Sequence, residues 1–300
     1  MKTKSLNSAL RIIFITSLGI FLFVFFLMLR NTANPRRPIY STPQDYGLNF
    51  QNIEFNTEDG LKLKGWLVIN NETSPTVIIC HGFGTSRSDV LVLADFIERE
   101  GYNILLFDFR GHGESQGWYT SFGYLEQKDL KAALEFLKHN PNIKTKIFGV
   151  LGVSMGGSVA IMTAAKTDDI KAVVTDSPYV DLDTSIIRHA RLLLKLPFSF
   201  LGRLAVFSYR LRFFVDSSKI SPLKEISKLS PRAVMIISGA KDKRMPSLDA
   251  ERLYLNASYP KEFFLTISAG HTESYWQNRE EYERRVMDFF NRYLPFTRQP

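Results

Sequence analysis

The amino-acid sequence predicts an α/β fold: a mostly parallel central sheet with helices on both faces and a helical cap, preceded by a transmembrane helix. Apolar, β-branched runs alternate with helix-like segments from about residue 49 to residue 294, and strands joined by crossover helices run parallel. An uncharged apolar run near the amino terminus is long enough to cross a bilayer. The roughly 250 residues that follow it suit one domain with a cap.

The amino-terminal apolar run covers residues 12–29, which are 18 residues without a charge. As a helix it would be about 27 Å long, close to the roughly 30 Å of hydrocarbon in a bilayer. No clear small-x-small cleavage site follows it, which favours a retained anchor over residues 1–30 rather than a cleaved signal peptide. Equal numbers of basic residues on the two sides leave the membrane orientation undecided. They are Lys2, Lys4 and Arg11 before the run and Arg30, Arg36 and Arg37 after it.

The proline-containing residues 31–48 are predicted to be a linker, and residues 49–300 are predicted to form the folded domain. An antiparallel hairpin opens this domain. The predicted strands are 53–55, 61–69, 76–80, 102–107, 147–153, 172–175, 233–237 and 263–267. The predicted helices are 89–100, 125–139, 158–166, 247–257 and 279–293.

A serine between glycines, Gly152-Val153-Ser154-Met155-Gly156, follows the fifth predicted strand. This is the sequence form of a nucleophile elbow. The glycines remove side chains that would collide with the neighbouring strand and helix, while the serine takes a strained backbone conformation. Its hydroxyl is then exposed at the carboxyl edge of the sheet, beside a helix N-terminus that stabilises negative charge. The sequence therefore predicts Ser154 as a nucleophile.

An acid and a histidine follow later strands, so that the chain order is Ser, Asp, His. Asp242 comes just past the strand predicted at 233–237, and His271 just past the last predicted strand. The strand at 76–80 leads into a glycine-containing turn that can place the Phe83 N–H beside the Met155 N–H. Such a pair of backbone donors forms an oxyanion hole.

This order and placement resemble the α/β-hydrolase family over residues 49–294. Three motifs are similar to the membrane-anchored branch labelled serine aminopeptidase S33-type or Bem46-type: Asp-x-Arg-Gly-His-Gly-x-Ser from Asp108, Gly-x-Ser-x-Gly-Gly, and Gly-His-x-Glu-Ser-Tyr near the end. One departure is Ser238-Gly239, where the family commonly has His-Gly. The resemblance implies an α/β-hydrolase fold and assigns five site residues. They are Ser154 as nucleophile, Asp242 as orienting acid, His271 as general base, and Phe83 and Met155 as oxyanion donors.

Other polar residues compete for these roles. Asp176 also follows an apolar strand and is the rival of Asp242 for the acid. Asp108 and Arg110 are interpreted as a structural pair within their loop rather than as catalysts. The remaining histidines are expected to bond locally or to lie at the surface or in a lid: His81, His112, His139 and His189.

A basic stretch covers residues 185–224, with eight basic residues and one acid in a chain of net charge +8. The resemblance implies a cap insertion at about 180–225. Basic residues with Leu and Phe predict a cap that rests on an anionic membrane surface, or alternatively a packed cap with solvated arginines. No recognised motif accompanies the charge, so nucleic-acid binding is not expected. The predicted apolar surface consists of Ile186, Ile187, Leu192, Leu193, Leu194, Leu196, Phe198 and Phe200.

No metal or cofactor is implied by the sequence. The five histidines show no metal-binding helical pair, the single cysteine cannot form an internal disulfide, and no phosphate-binding loop is present. We predict a membrane-anchored serine hydrolase that cleaves a small-molecule or lipid-like acyl ester, thioester or amide through an acyl-enzyme. An aminopeptidase-like serine peptidase and a non-catalytic binding protein on the same fold are the alternatives. Substrate identity and oligomeric state are not indicated.

Overall fold

A computed structural model describes residues 2–33, 36–195, 199–294 and 296 of the 300-residue chain. Within these residues, eight strands form one sheet. They are β1 (Gln51–Asn56), β2 (Lys62–Val68), β3 (Thr76–Cys80), β4 (Asn103–Phe107), β5 (Phe148–Val153), β6 (Ile170–Asp176), β7 (Ala233–Gly239) and β8 (Lys261–Thr266). Their order across the sheet is β1-β2-β4-β3-β5-β6-β7-β8.

The sheet is mostly parallel, as predicted. β1 and β2 form an antiparallel hairpin, and β2 pairs antiparallel with β4. The remaining strands, from β4 across to β8, all run parallel. Because parallel strands share one carboxyl edge, the loops after β3, β5, β6, β7 and β8 converge there.

Helices cover both faces of the sheet. One apolar cluster joins the helices Glu126–His139, Met155–Ala164 and Ser247–Asn256 to the sheet, and a second joins the helices Val92–Arg99 and Arg279–Tyr293 to its other face. The helix predicted from residue 89 begins three residues later, because residues 87–90 form a 3₁₀ turn. The helices are α1 (Lys2–Thr32), α2 (Val92–Arg99), α3 (Glu126–His139), α4 (Met155–Ala164), α5 (Leu182–Leu194), α6 (Phe200–Phe213), α7 (Pro222–Glu225), α8 (Ser247–Asn256), α9 (Ser274–Gln277) and α10 (Arg279–Tyr293).

The cap lies between β6 and β7 and consists of α5, α6 and α7. Its first helix begins at Asp181, whose carboxylate accepts the Thr184 N–H at 2.7 Å, which is the usual N-cap bond. α5 and α6 pack closely at Gly202, where an added Cβ would lie 2.9 Å from the Ile187 Cα. Leu196 and Phe198, predicted as part of the apolar cap surface, lie outside the described residues.

Several basic side chains of the cap bind acidic or aromatic partners within the protein. Arg188 pairs with Asp249 at 2.5 Å, and Arg210 pairs with Asp183 at 2.5 Å. Both acids lie outside residues 185–224, so the charge of that stretch overstates the free positive charge on the cap. The Arg212 guanidinium lies 5.4 Å from the centre of the Tyr119 ring. Arg191, Lys195 and Arg203 are exposed.

The long amino-terminal helix α1 is apolar enough over residues 7–32 to cross a membrane, a property that a signal sequence shares. Most of its length is exposed, but Val24 and Met28 are buried against the domain. Past its end, Arg36 donates to the carbonyl oxygens of Gly113 and Gly117 at 2.8 and 2.9 Å. The segment predicted as a linker therefore contacts the domain, although Asn34 and Pro35 lie outside the described residues.

Candidate active site

The serine of the elbow has a backbone conformation that side chains rarely adopt. Ser154 has φ +52° and ψ −115°, directly between β5 and α4. A Cβ on Gly152 would collide with the carbonyl oxygen of Gly156, and one on Gly156 would collide with the carbonyl oxygen of Cys80. Strain of this kind persists only where the surrounding structure fixes it. The tight packing of strand, turn and helix fixes the Ser154 side chain at the carboxyl edge of the sheet.

The predicted nucleophile, base and acid form a connected chain of hydrogen bonds. The Ser154 Oγ lies 3.0 Å from the His271 Nε2, and the His271 Nδ1 lies 2.7 Å from the Asp242 Oδ2. The other Asp242 oxygen accepts the N–H groups of Arg244 and Met245, each at 2.8 Å. A carboxylate only accepts hydrogen bonds, so the His271 Nδ1 carries the proton and the Nε2 is free to accept one from serine.

The rival acid, Asp176, does not bond to the His271 ring. It is the last residue of β6 and is buried, and burial raises the pKa of its carboxyl to about 6. The Ser177 hydroxyl donates to it at 2.9 Å and accepts the Thr272 N–H at 3.1 Å. Asp176 therefore supports the loop that carries His271, through one intervening hydroxyl.

Two buried histidines hold the turn after β3. His81 bonds through its Nδ1 to the Gly82 carbonyl oxygen at 2.7 Å, and His112 accepts the Gly84 N–H at 3.2 Å. Burial lowers the pKa of each to about 4, so both are neutral at physiological pH. The local bonding predicted for them is found, and it fixes the backbone on both sides of Phe83.

The two predicted oxyanion donors lie in the same cavity as the serine. Phe83 follows Gly82, where an added Cβ would approach the Ser154 Cβ to 3.4 Å, and Met155 is the first residue of α4. Both backbones thus flank the serine side chain. A helix N-terminus directs backbone N–H groups toward developing negative charge.

Asp108 and Arg110 are structural, but the prediction that they pair with each other is wrong. Asp108 is buried and accepts the backbone N–H and a guanidinium N–H of Arg87. Arg110 binds Asp129 of α3 at 2.6 Å and Asp59 at 2.8 Å. The Asp108 carboxylate also accepts the Glu114 N–H at 2.9 Å within its own loop, so Asp108 and Arg110 are held by separate partners rather than by each other.

A cavity of about 630 Å³ surrounds the Ser154 hydroxyl and the His271 ring. Cap helix α5, the loop after β8 and helix α1 all contribute to its wall. His189, expected at the surface or in a lid, lines this wall, and burial lowers its pKa. Trp276 and residues of α1 line the cavity as well, and no motif in the sequence indicates that they do. In the part of the chain that the structure describes, no group of three or more His, Cys, Asp or Glu residues could hold a metal ion.

Residues 75–281 match the family model described as the alpha/beta hydrolase fold. The chain belongs to the α/β-hydrolase family. The uncharacterized protein YqkD of Bacillus subtilis is 31% identical over 234 residues, which cover 77% of this chain and 76% of YqkD. This confirms the resemblance at the level of the family, while the S33-type or Bem46-type branch stays a prediction.

Among solved structures, the esterase Pf2001 of Pyrococcus furiosus is 32% identical, with a TM-score of 0.75 over 88% of this chain and 98% of the esterase. The acylaminoacyl peptidase of Pyrococcus horikoshii shares the fold at 19% identity, with a TM-score of 0.63 over 84% of this chain and 43% of the peptidase. The family match and the likeness to the esterase support a hydrolase, while the likeness to the peptidase shows the fold.

Proposed function

We propose that this α/β hydrolase is a membrane-anchored serine hydrolase that cleaves carboxylic esters or thioesters. Ser154 is the nucleophile, His271 the general base and Asp242 the acid that orients it, while the Phe83 and Met155 N–H groups form the oxyanion hole. The observation that carries the proposal is the bonded chain of 3.0 Å from serine to histidine and 2.7 Å from histidine to aspartate. This is the geometry that activates a serine hydroxyl.

The reaction follows from these contacts. As the Ser154 Oγ attacks the carbonyl carbon, the His271 Nε2 takes the hydroxyl proton, and the carbonyl oxygen becomes an oxyanion beside the two N–H groups. The bond to the leaving oxygen or sulfur then breaks, and His271 returns the proton to that atom. A water molecule, deprotonated by His271, attacks the acyl-enzyme, releases the carboxylic acid and restores Ser154.

The buried Asp242 supports each proton transfer of His271. Its carboxylate holds the proton of His271 on the Nδ1 and stabilises the imidazolium that forms during attack. The two backbone N–H groups on its other oxygen fix its orientation.

The domain arrangement is also part of the proposal. Residues 1–30 form a retained membrane anchor, 31–48 a linker, and 49–300 the hydrolase domain with its cap at about 180–225. The length and apolar character of α1 support this. Extraction of membranes from cells expressing the full chain with alkaline carbonate should leave the intact protein in the pellet, whereas a shortened soluble form would indicate a cleaved signal.

Labelling with a tagged fluorophosphonate tests the chemistry. The full chain in detergent should react at Ser154, and Ser154→Ala and His271→Ala should each abolish labelling. Matched controls are Ser268→Ala, an exposed serine after β8, and His139→Ala, an exposed histidine at the end of α3, which should label like the wild type. A wild type that unfolds cooperatively but does not label would support the non-catalytic alternative.

A panel of acyl esters and aminoacyl amides separates the esterase from the peptidase. Faster hydrolysis of esters than of aminoacyl amides is expected, because the cavity wall around the serine is mainly apolar and burying the unpaired ammonium of an aminoacyl group there costs free energy. Preference for aminoacyl amides would instead favour the aminopeptidase-like alternative. Ser154→Ala is the blank for both substrates.

A further inference from the structure

The amino-terminal helix contributes one wall of the cavity around Ser154. Val24, Leu27, Met28 and Asn31 of α1 line that cavity. Their spacing of three and four residues places them along a single helix face. Val24 and Met28 are each only 7% exposed, whereas Phe26 in the same turn is 59% exposed and faces away from the domain. α1 therefore has one face on the cavity and another on its surroundings.

Contacts with the cap and the domain hold this wall in place. The rings of Phe21 and Phe207 lie 6.0 Å apart, joining α1 to α6. Met28 packs in the apolar cluster that contains Leu182 and Tyr209 of the cap. At the end of the helix, the Thr120 N–H donates to the Thr32 carbonyl oxygen at 2.9 Å. The lining face of α1 is thus a fixed part of the site.

The part of α1 that lines the cavity belongs to its apolar run. Three of the four lining residues fall within residues 12–29, the stretch whose length matches bilayer hydrocarbon. Leu193 and Leu201 of the cap line the cavity as well, and Leu193 is 70% exposed. The α1 wall of the cavity is therefore hydrocarbon-like as far as Met28, with the polar Asn31 following it and further polar groups at Ser154 and His271. The cavity volume of about 630 Å³ lies within the range of small-molecule sites.

We propose that α1 forms one wall of an acyl-chain pocket, so that the substrate is a long-chain acyl ester or thioester of a membrane lipid that reaches Ser154 from the bilayer along α1. The inference rests on the proposed serine hydrolase function and names its substrate class. An acyl chain that lies between α1 and the cap contacts apolar side chains along its whole path from the bilayer to the reacting carbonyl. Only the ester group then has to leave the hydrocarbon, next to the oxyanion donors.

A photoreactive covalent probe tests the position of the chain. The full-length protein in phospholipid nanodiscs is treated with a dodecyl fluorophosphonate whose chain ends in a diazirine. The Ser154 Oγ displaces fluoride from phosphorus, and irradiation then links the chain end to its neighbours. Crosslinks within residues 24–31 are expected. Labelled Ser154 with crosslinks only elsewhere would overturn the acyl-pocket inference, whereas no labelling of folded protein would overturn the proposed function and the inference with it.

Substitutions on α1 provide a second test. Leu27→Trp places bulk in the cavity, and Phe26→Trp is the matched control on the opposite side of the same turn. Since each buried methylene contributes up to about fourfold, Leu27→Trp should lower the ratio of kcat/KM for a dodecanoate ester to kcat/KM for an acetate ester by about tenfold or more. A thermal unfolding midpoint within a few degrees of the wild type shows that the variant is folded. Equal effects of the two variants on dodecanoate would contradict the inference.

The source of the substrate is tested in the same nanodiscs. Diluting a long-chain ester within the bilayer, at constant bulk concentration, should lower the rate in proportion to its surface fraction. A rate that follows the bulk concentration alone would overturn access from the bilayer. Phe26→Trp should follow the same surface-dilution curve as the wild type.

Discussion

Replacing Asp242 with asparagine changes the tautomer of His271 without moving its ring. The Asp242 Oδ1 accepts two backbone N–H groups, from Arg244 and Met245, and an amide NH₂ cannot accept them. In Asp242→Asn the amide oxygen therefore stays on these donors, and the NH₂ group points to the His271 Nδ1. That nitrogen must then accept, which moves the ring proton to the Nε2. A protonated Nε2, 3.0 Å from the Ser154 Oγ, cannot take the serine proton.

The expected loss is about 10⁴-fold in kcat, the size seen when the same change is made in a serine protease triad. This corresponds to about 5.5 kcal/mol of transition-state stabilisation. KM should stay within about twofold, because the Asp242 side chain is fully buried and touches no substrate. Initial rates with a butyrate ester, at an enzyme concentration set by protein mass, measure both constants. A thermal unfolding midpoint within a few degrees of the wild type shows that the fold is kept.

Asp176→Asn is the control, because Asp176 is the other buried carboxylate near His271. It reaches that loop only through Ser177, and its replacement should cost less than about tenfold in kcat. The reasoning would be refuted if Asp176→Asn lost 10³-fold or more while Asp242→Asn stayed within tenfold. In that case the hydrogen bond of 2.7 Å between His271 and Asp242 would not be the one that orients the base.

Two further predictions concern stability, each measured by unfolding of the full chain in detergent. Gly156→Ala should destabilise the domain by about 3 kcal/mol or more, because the added Cβ would collide with the Cys80 carbonyl. Gly19→Ala, whose Cβ meets nothing within 4 Å, should change the free energy of unfolding little. Equal stability of the two variants would contradict the packing argument. The pKa of His112 is about 4 in the folded protein and about 6.5 in the unfolded chain. As the pH falls, His112 is therefore protonated in the unfolded chain before it is protonated in the folded one. The free energy of unfolding then decreases between about pH 6.5 and pH 4. The histidine contributes up to about 1.4 kcal/mol per pH unit to this slope, and His112→Asn should flatten it; an unchanged slope would show that His112 is not held neutral.

The close approach of the three residues proposed to react was predictable because each follows a strand. A parallel sheet brings the carboxyl ends of neighbouring strands to one edge, so the positions of Ser154, Asp242 and His271 along the chain already place them near one another. The choice between the two acids needed the fold. Asp176 is the last residue of β6 and its carboxyl stays buried beside the sheet, whereas Asp242 lies past the end of β7 on a loop that reaches the histidine.

The cap shows why charge counted along a segment misleads. Residues 185–224 have a large positive excess, yet Arg188 and Arg210 bind Asp249 and Asp183, which lie outside that segment. Asp183 lies on cap helix α5, just before the counted stretch, whereas Asp249 reaches the cap from α8 through a contact that no local pattern records. The positive potential at the surface of the cap is therefore set by the exposed arginines, such as Arg203, rather than by the net charge of the segment.

For α1, too, a property read along the sequence does not show which contacts the folded protein makes. A helix that crosses lipid and a helix that also packs on its own domain have the same apolar composition, so hydropathy alone predicts only the span. The burial of Val24 and Met28, beside the exposed Phe26, distinguishes the two faces of α1. Because the buried face of α1 lines the cavity of Ser154, a substitution on that face should alter which acyl-chain length is preferred. A substitution on the opposite face of α1 should not. A difference in chain-length preference between the two faces is a consequence that membrane anchoring alone does not produce.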